Sequence, residues 1–283
     1  MTLRQSHFVP PVSYLLAQGL GFLQGSEVQL TRTTSSAEQL RALLAGEQDI
    51  VVTAIDNLFE WSLAGADLRL VAQVEATTPL GIHARNGLAA LADLAGCRFA
   101  VDAPKNGFAL IAKRLLLDAG VEVDFVVIGG VRERLDALVD GEVDATLLGT
   151  PFDKLAERAG FPQMLDINTR FPELPGQGLV VRADVLESEE LERYLGALLA
   201  GVEASGRIPD EHGIELLERS GYQAGADSAW HSRARTLSVD PRGLELLTVI
   251  RQSLGMLGQR STLAELWDSE PLRKAAQPSM RTF

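Results

Sequence analysis

The 283-residue chain lacks several features that define particular classes of protein. It has a single cysteine, Cys97, which excludes an internal disulfide and a thiolate metal cluster. No apolar run approaches the roughly 18 residues that a membrane-spanning helix needs. The 26 Lys and Arg are outnumbered by 38 Asp and Glu, and the net charge of −12 argues against nucleic acid or an anionic membrane as the partner.

The usual motifs of catalytic and cofactor sites are also missing. His83, His212 and His231 are scattered, with no partner at metal-ligand spacing, so no metal site is predicted. No G-x-S-x-G, Walker or G-x-G-x-x-G pattern follows a predicted strand. We therefore expect neither a metal nor a cofactor.

The first residues, MTLRQSHFVPP, contain no apolar h-region and no small-residue cleavage site. As written, the sequence predicts a cytoplasmic protein. A protein from which a signal peptide had been removed would read in the same way, and its location would then be periplasmic.

Residues 35–57, SSAEQLRALLAGEQDIVVTAIDN, show the pattern of a helix, a turn and a buried strand. Ser35 and Glu38 have the spacing of a capping box, leucines follow at helical intervals, and Gly46 is placed to end the helix in a left-handed conformation. The apolar run IVV at 50–52 then predicts a strand that is buried on both faces of a parallel sheet.

The same pattern recurs further along the chain. Residues 133–144, ERLDALVDGEVD, align with residues 38–49, EQLRALLAGEQD, at a shift of 133 − 38 = 95 positions. Gly141 takes the place of Gly46, and a second buried run, ATLL, follows at 145–148. Helix–Gly–strand turns favour such residues in any protein. The interpretation we prefer is two similar α/β lobes built on the same right-handed unit.

Strands and helices alternate along the chain, which predicts an α/β fold with mostly parallel strands. The Pro- and Gly-rich residues 161–178 are interpreted as a segment that crosses between lobes. After about Ser188 the pattern is helical nearly to the end.

The sequence resembles the type II periplasmic binding proteins, in the branch of taurine- and alkanesulfonate-binding proteins and their thiamine-precursor (NMT1/THI5-like) relatives. The motifs that carry the resemblance are the segment 35–57, GADLRLVA at 65–72, LADLAGCRFAVDAP at 91–104, GGVRERLDALVDGEVDATLLGTPFD at 129–153 and LAELWDSEPLRKAA at 263–276.

The resemblance implies a two-lobe fold in which each lobe is a mostly parallel sheet flanked by helices. Lobe one would contain residues 1–80 and 177–283, and lobe two would be the inserted residues 81–176. The ligand would bind in the cleft between the lobes. Open α/β sheets also bind ligands beyond the carboxyl ends of their strands, so both arguments point to the same loops.

The predicted site residues lie on five such loops. They are His7, Pro10 and Tyr14, then Ser35 and Ser36, then Thr53, Asp56 and Asn57, then Lys105, Asn106, Gly107 and Phe108, and finally Thr150 and Phe152.

Several of these residues have an alternative structural role. Ser35 and Ser36 open a helix whose free N–H groups could hold an anion, although capping alone explains them. Asp56 and Asn57 could cap a helix or could bind a hydroxyl, an amine or a ring nitrogen. Phe152 could stack on a ring or pack in the core.

The loop at Lys105 to Phe108 combines a point charge, a permissive glycine and a helix N-terminus, which together suit an acidic group. The relatives often carry Gly with Ser or Thr here, and this departure argues against a simple sulfonate. Lys105 could otherwise be a solvated loop charge.

Two functions are compatible with these observations. The first is a non-enzymatic, monomeric binding protein that closes over a small anionic or heteroaromatic molecule and delivers it to an ABC permease. The second is a cytoplasmic enzyme on the same fold, a decarboxylase, a dehydratase or a thiamine-precursor synthase, with His7 as its acid or base. A synthase of that kind needs a cysteine-rich iron motif, which this one-cysteine chain lacks.

Overall fold

A computed structural model describes residues 2–26, 28–105, 107–257 and 263–277. It contains two five-stranded sheets flanked by helices. The strands of the first sheet are β1 (Arg4–His7), β2 (Gln29–Arg32), β3 (Ile50–Ala54), β4 (Leu68–Gln73) and β10 (Gln177–Arg182). The strands of the second sheet are β5 (Leu80–Ala84), β6 (Arg98–Val101), β7 (Asp124–Val127), β8 (Ala145–Gly149) and β9 (Gln163–Asp166). We call the part built on the first sheet lobe one and the part built on the second lobe two.

The helices surround both sheets. They are α1 (Val12–Gly19), α2 (Ser36–Leu44), α3 (Asn57–Leu63), α4 (Ala109–Asp118), α5 (Val131–Val139), α6 (Phe152–Arg158), α7 (Ile167–Arg170), α8 (Glu189–Ser205), α9 (Asp210–Leu217), α10 (Ala226–His231), α11 (Pro241–Ser253) and α12 (Glu270–Ala275). Within the described residues, no helix is both long enough and apolar enough to cross a membrane.

The two sheets share one topology. Their strand orders are β2-β1-β3-β10-β4 and β7-β6-β8-β5-β9. In each sheet one strand, β10 or β5, runs antiparallel to its two neighbours, and β1 and β6 pair in parallel with the strands beside them. The predicted two-lobe α/β fold with mostly parallel sheets is confirmed. The domain bounds 1–80 with 177–283, and 81–176, stay a prediction.

The 95-residue shift is preserved in three dimensions. It relates the starts of α2 and α5, of β3 and β8, and of α3 and α6. Gly46 and Gly141 both have positive φ, 67° and 73°, as the sequence predicted. Each follows its helix in a Schellman motif, in which Glu47 N–H donates to the carbonyl of Ala42 and the equivalent bond closes the second copy.

An acidic residue follows each of these turns and binds the first residue of the parallel strand beside it, β1 or β6. Asp49 accepts hydrogen bonds from the backbone N–H and the side chain of Arg4, and Asp144 accepts the same pair from Arg98. The hydrogen bonds from Arg98 lower the pKa of Asp144 to about 2. These acidic residues lie at the amino ends of β3 and β8, away from the cleft.

The predicted capping box is not formed as a reciprocal pair. Ser35 does cap α2, because its Oγ accepts from Ala37 N–H at 3.1 Å. The N–H of Ser35 donates instead to the hydroxyl of Thr33, and Glu38 accepts from that same hydroxyl at 2.7 Å. The hydroxyl of Thr33 therefore bridges Ser35 and Glu38, which a capping box would join directly.

The segment predicted to cross between lobes, 161–178, contains more structure than its composition suggested. It holds the short strand β9 and the single turn α7 before the chain returns to the first sheet at Gln177. β9 pairs with β5 and is half-exposed, so it carries no buried β-branched run that the sequence could reveal.

The lobes pack on one another through apolar side chains. One continuous hydrophobic cluster includes Phe99 of the second sheet, Leu110 of α4 and Leu247 of α11. α11 follows β10 in the chain and lies against α4 of lobe two, so the C-terminal helices contact both lobes.

We expect Gly141→Val to destabilise the protein by at least about 1 kcal/mol, because a β-branched residue is strained at positive φ. A Cβ at Gly141 would meet nothing within 4 Å, so the loss would report backbone strain alone. Urea unfolding measures the effect. Gly196→Ala, inside α8 where φ is ordinary, is the control and should leave stability unchanged or raised. Equal stability of Gly141→Val and the wild type would contradict the duplicated turn.

Candidate functional site

A cavity of about 110 Å³ lies between the two lobes, several times the volume that one water needs. It sits at the carboxyl ends of four strands, since Phe8 follows β1 and Ala54, Val101 and Gly149 end β3, β6 and β8. Its lining is Phe8, Val9, Ala54, Asn57, Glu75, Thr78, Leu80, Ala100, Val101, Asp102, Ala103, Gly107, Phe108, Ala109, Val131, Arg134, Leu147, Gly149, Thr150 and Gln177.

Four of the predicted site residues line this cavity: Asn57, Gly107, Phe108 and Thr150. Asn57 donates from Nδ2 to the hydroxyl of the buried Thr53 at 2.7 Å. Gly107 has φ of 62°, and a Cβ there would lie 3.1 Å from Asn57 Oδ1. Glycine therefore lets the loop of lobe two approach the start of α3 in lobe one. Thr53 itself is not part of the lining.

The first loop contributes to the cavity through residues that were not predicted. Phe8 and Val9 line it, whereas His7, Pro10 and Tyr14 do not. The carbonyl of Pro10 accepts a hydrogen bond from the hydroxyl of Tyr222, and Tyr14 packs in the core of lobe one.

His7 is 5 % exposed, and its Nδ1 is buried without a hydrogen-bond partner among the described residues. Burial, reinforced by Arg32, lowers the pKa of His7 to about 4. The imidazole is therefore neutral at pH 7.

The N-terminus of α2 already holds an anion from the other lobe. Both carboxylate oxygens of Asp102 lie 3.2–3.3 Å from the backbone N of Ser36, which donates to them. Ser35 is occupied as the helix cap. Neither serine lines the cavity, and an anionic ligand at this helix would have to displace Asp102.

Asp56 belongs to a buried ion pair. Arg251, which is 0 % exposed, donates from Nε and Nη2 to the two oxygens of Asp56, at 2.8 Å each. Asp56 also accepts from the backbone N–H of Gly107 at 3.0 Å. Burial raises the pKa of Asp56, and the hydrogen bonds from Arg251 oppose that shift. A ligand donor at Asp56 would therefore compete with partners that are already in place.

The remaining predicted residues are placed differently. The side chain of Lys105 is exposed and its carbonyl accepts from Arg251 at 3.1 Å, so the backbone makes the contact. Phe152 packs with Leu135 and Leu148 in a small core cluster. Asn106 lies outside the described residues. As ligand contacts, all of these residues stay predictions.

Three charged residues of the lining were missed by sequence reasoning: Glu75, Asp102 and Arg134. Asp102 and Arg134 stand inside the motifs that carried the resemblance, one residue past β6 and within α5. The sequence did not indicate that they line a cavity, because a charged residue beside a strand or on a helix is usually solvated. Glu75 lies on the connection from β4 to β5, whose path the sequence did not reveal.

Arg134 projects from α5 into the cavity wall. Its Nη1 donates to the carbonyl of Gly129 at 2.5 Å and its Nη2 to that of Leu147 at 3.3 Å. Its Nε is buried and has no partner among the described residues. Burial lowers the pKa of Arg134 to about 10, so the guanidinium remains charged at pH 7. The guanidinium therefore keeps an unsatisfied donor, and Arg134 lines the cavity.

The lobes touch at several points around the cavity. Arg32 of lobe one forms an ion pair with Glu133 of lobe two, and Gly129 allows the backbone of Thr34 to approach closely. On another side of the cavity, the hydroxyl oxygens of Thr150 and Ser228 are 3.5 Å apart. The two lobes are thus in direct contact around the cavity. Among the described residues, no group of three His, Cys, Asp or Glu side chains is arranged to hold a metal ion.

We expect Arg251→Met to destabilise the protein by about 3–5 kcal/mol, because it leaves the buried Asp56 carboxylate without its cation. Adding Asp56→Asn to this variant should recover part of the loss. Thermal or urea unfolding measures both. Arg242→Met, which removes an exposed arginine of the same helix, is the control and should cost at most about 1 kcal/mol. Equal effects of the two arginine replacements would show that the pair is not structural.

Comparison with known proteins identifies the fold and the family. The ligand-binding component of an ABC-type import system from Staphylococcus aureus, with zinc bound, aligns with a TM-score of 0.79 and 13 % identity, covering 98 % of this chain and 100 % of that one. The alkanesulfonate-binding protein SsuA from Xanthomonas axonopodis pv. citri, bound to MOPS, aligns with a TM-score of 0.77 and 18 % identity, covering 94 % and 98 %. The nitrate-binding protein NrtA from Synechocystis PCC 6803 aligns with a TM-score of 0.78 and 14 % identity, covering 98 % and 88 %.

These similarities concern the fold, since every identity is below 25 %. A comparison with curated protein sequences gave no match. A family model described as NMT1/THI5 like matches residues 12–212, well over half of the chain. The predicted resemblance is confirmed, and the protein belongs to the NMT1/THI5-like family.

Proposed function

We propose that the protein binds a small organic molecule, anionic or heteroaromatic, in the cleft between its lobes and closes over it by a hinge motion. The observation that carries this proposal is the cavity itself, which is largely apolar and has the guanidinium of Arg134 in its wall. A concave apolar site with a few convergent polar groups is the usual form of a small-molecule site.

Arg134 supports an acidic group on the ligand. Two of its five N–H groups are used by backbone carbonyls, and its Nε is buried without a partner among the described residues. A carboxylate, sulfonate or phosphate can satisfy a guanidinium with two parallel hydrogen bonds. Lys105, which the sequence favoured for this role, is exposed and outside the lining.

Two aromatic side chains support a flat or apolar ligand body. Phe8 follows the first strand of lobe one and Phe108 precedes α4 of lobe two, and both line the cavity. The two rings belong to opposite lobes, so one ligand in the cleft could contact both. A ring on the ligand could stack against them, which would favour the closed form.

The structural neighbours support a role in transport. One of the proteins aligned above is described as the ligand-binding component of an ABC-type import system, and another as an alkanesulfonate-binding protein. We propose that this protein is the substrate-binding component of an ABC-type importer and passes its ligand to a permease. The fold of these neighbours supports the proposal. The chemical class of the ligand is inferred from the residues that line the cleft of this chain.

The alternative function, an enzyme on the same fold, depends on His7. Its imidazole is neutral at pH 7 but does not line the cavity. A general acid or base must come within hydrogen-bond reach of the reacting group. Binding is therefore the function that the site supports better.

We expect Arg134→Gln to weaken the binding of acidic ligands by about ten- to a hundredfold, because a charged hydrogen bond is lost. The probes are MOPS, propane-1-sulfonate and 4-aminopyrimidine-5-carboxylate, measured by titration calorimetry. Arg134→Lys keeps the charge without the planar fork and should give an intermediate loss. Arg158→Gln, an exposed arginine at the end of α6, is the control.

The same samples separate binding from catalysis. After incubation with the wild type, mass analysis should recover each probe unchanged. A protein-dependent product that disappears in His7→Ala would establish the enzyme instead. Unchanged affinity of Arg134→Gln for every probe that binds would contradict the assignment of the acidic group.

We expect the protein without ligand to be more extended in solution than this structure, because the polar contacts between the lobes, such as Arg32–Glu133 and Asp102 with Ser36, are few and can be replaced by water. Small-angle scattering should show a smaller radius when a binding probe saturates the cleft. Identical scattering profiles with and without a saturating probe would contradict hinge closure.

A further inference from the structure

Glu75 is the carboxylate at the hinge side of the cavity. It lies on the connection between β4 and β5, and its two oxygens accept hydrogen bonds from the hydroxyl of Thr78 at 2.6 Å and from Nε2 of Gln177 at 2.9 Å. Gln177 opens β10, the strand by which the chain returns to lobe one. The side chain of Glu75 therefore joins the outgoing connection to the returning one.

The backbone is shaped to bring these two segments together. A Cβ on Gly176 would lie 2.5 Å from Cβ of Glu75 and 2.7 Å from its carbonyl oxygen, so only glycine fits. The N–H of Glu75 also donates to the carbonyl of Gln177 at 3.2 Å. The position of Glu75 is thus fixed by contacts on both sides of the hinge.

Glu75 nonetheless borders the cleft. Glu75 lines the main cavity, and it also borders a second cavity of about 30 Å³ that lies towards Tyr222 and Arg233. A carboxylate offers about four lone-pair sites, and the two hydrogen bonds from side chains use two of them. Acceptor capacity therefore remains on this carboxylate.

The other carboxylate in the described lining, that of Asp102, already has a hydrogen-bond donor. Both oxygens of Asp102 face the backbone N–H of Ser36 at the start of α2. Glu75 has no cationic side chain as a hydrogen-bond partner in the described residues, and burial raises its pKa. A donor from the ligand would stabilise its ionised form, because a partly buried carboxylate gains from each added hydrogen bond.

Resting on the proposed binding function, we infer that Glu75 accepts an N–H group of the ligand. The cleft would then select molecules with two poles, an acidic group at Arg134 and an amine, an amidine or an amino-substituted ring at Glu75. Because Glu75 bonds to both connections between the lobes, the same contact would help to hold the hinge closed. Molecules with an acidic group alone, such as simple alkanesulfonates, would bind less well.

Matched pairs of probes test this inference. The members of each pair share an acidic group and frame and differ by amino against methyl: 2-aminoethanesulfonate with propane-1-sulfonate, 3-aminopropanoate with butanoate, and 4-aminopyrimidine-5-carboxylate with its 4-methyl analogue. Titration calorimetry measures each pair with the wild type, Glu75→Gln, Arg134→Gln and the control Glu142→Gln. Glu142 is exposed beyond α5, at the far end of the strands from the cleft.

We expect the amino member of at least one pair to bind the wild type about ten- to a hundredfold more tightly than its methyl partner. Glu75→Gln should abolish this ratio, because it weakens the amino member more than the methyl partner. Arg134→Gln should weaken both members by the same factor, and Glu142→Gln should change neither. Glutamine at position 75 can still accept from Gln177, and circular dichroism verifies that the variants are folded.

The two proposals fail in different ways. If the amino and methyl members of a pair bind with equal affinity, and Arg134→Gln weakens both, the role of Glu75 is overturned. Binding in the cleft then stands. If the wild type prefers the amino member and Glu75→Gln keeps this preference, another residue binds the N–H group and the inference is wrong. If no member of any pair binds, the result counts against both proposals.

Discussion

The arrangement of the cleft depends on one buried cation. Arg251 makes five hydrogen bonds, to both oxygens of Asp56, to Glu60, and to the carbonyls of Met256 and Lys105, which matches its five N–H groups. A guanidinium that is 0 % exposed would be strongly destabilising if any of these donors were left unpaired. This requirement joins α11, the start of α3 and the loop of lobe two at one edge of the cavity.

The same network is compatible with motion between the lobes. The ion pair of Arg251 with Asp56 lies within lobe one, and among the described residues the carbonyl of Lys105 and the N–H of Gly107 bond to it from lobe two. Both backbone groups could bond to water if the lobes separated, so opening would not strand the buried charges. The opposite edge is similar, since Asp102 of lobe two accepts from the backbone N–H of Ser36. These polar contacts between the lobes are therefore ones that water can replace.

The loops of the site could be predicted, but most of the contacting side chains could not. Strand ends were visible in the sequence, and Asn57, Gly107, Phe108 and Thr150 line the cavity as expected. Asp56 was a reasonable choice by the same argument, yet its partner is Arg251, which is 251 − 56 = 195 positions away. Nothing local marks such a pair. Short-range patterns identify loops, and long-range partners decide which of their side chains stay available to a ligand.

The sequence by itself determined the duplicated unit, with its left-handed Gly46 and Gly141, and the α/β class, because helix ends, turns and buried strands are set by residues within a few positions of one another. Only the tertiary structure decided the chemistry of the cleft. Arg134 and Glu75 owe the roles proposed for them to burial and to neighbours on other segments, and the hydration of a charged side chain depends on what packs around it. The sequence does not distinguish a charged residue that faces solvent from one that lines a cavity.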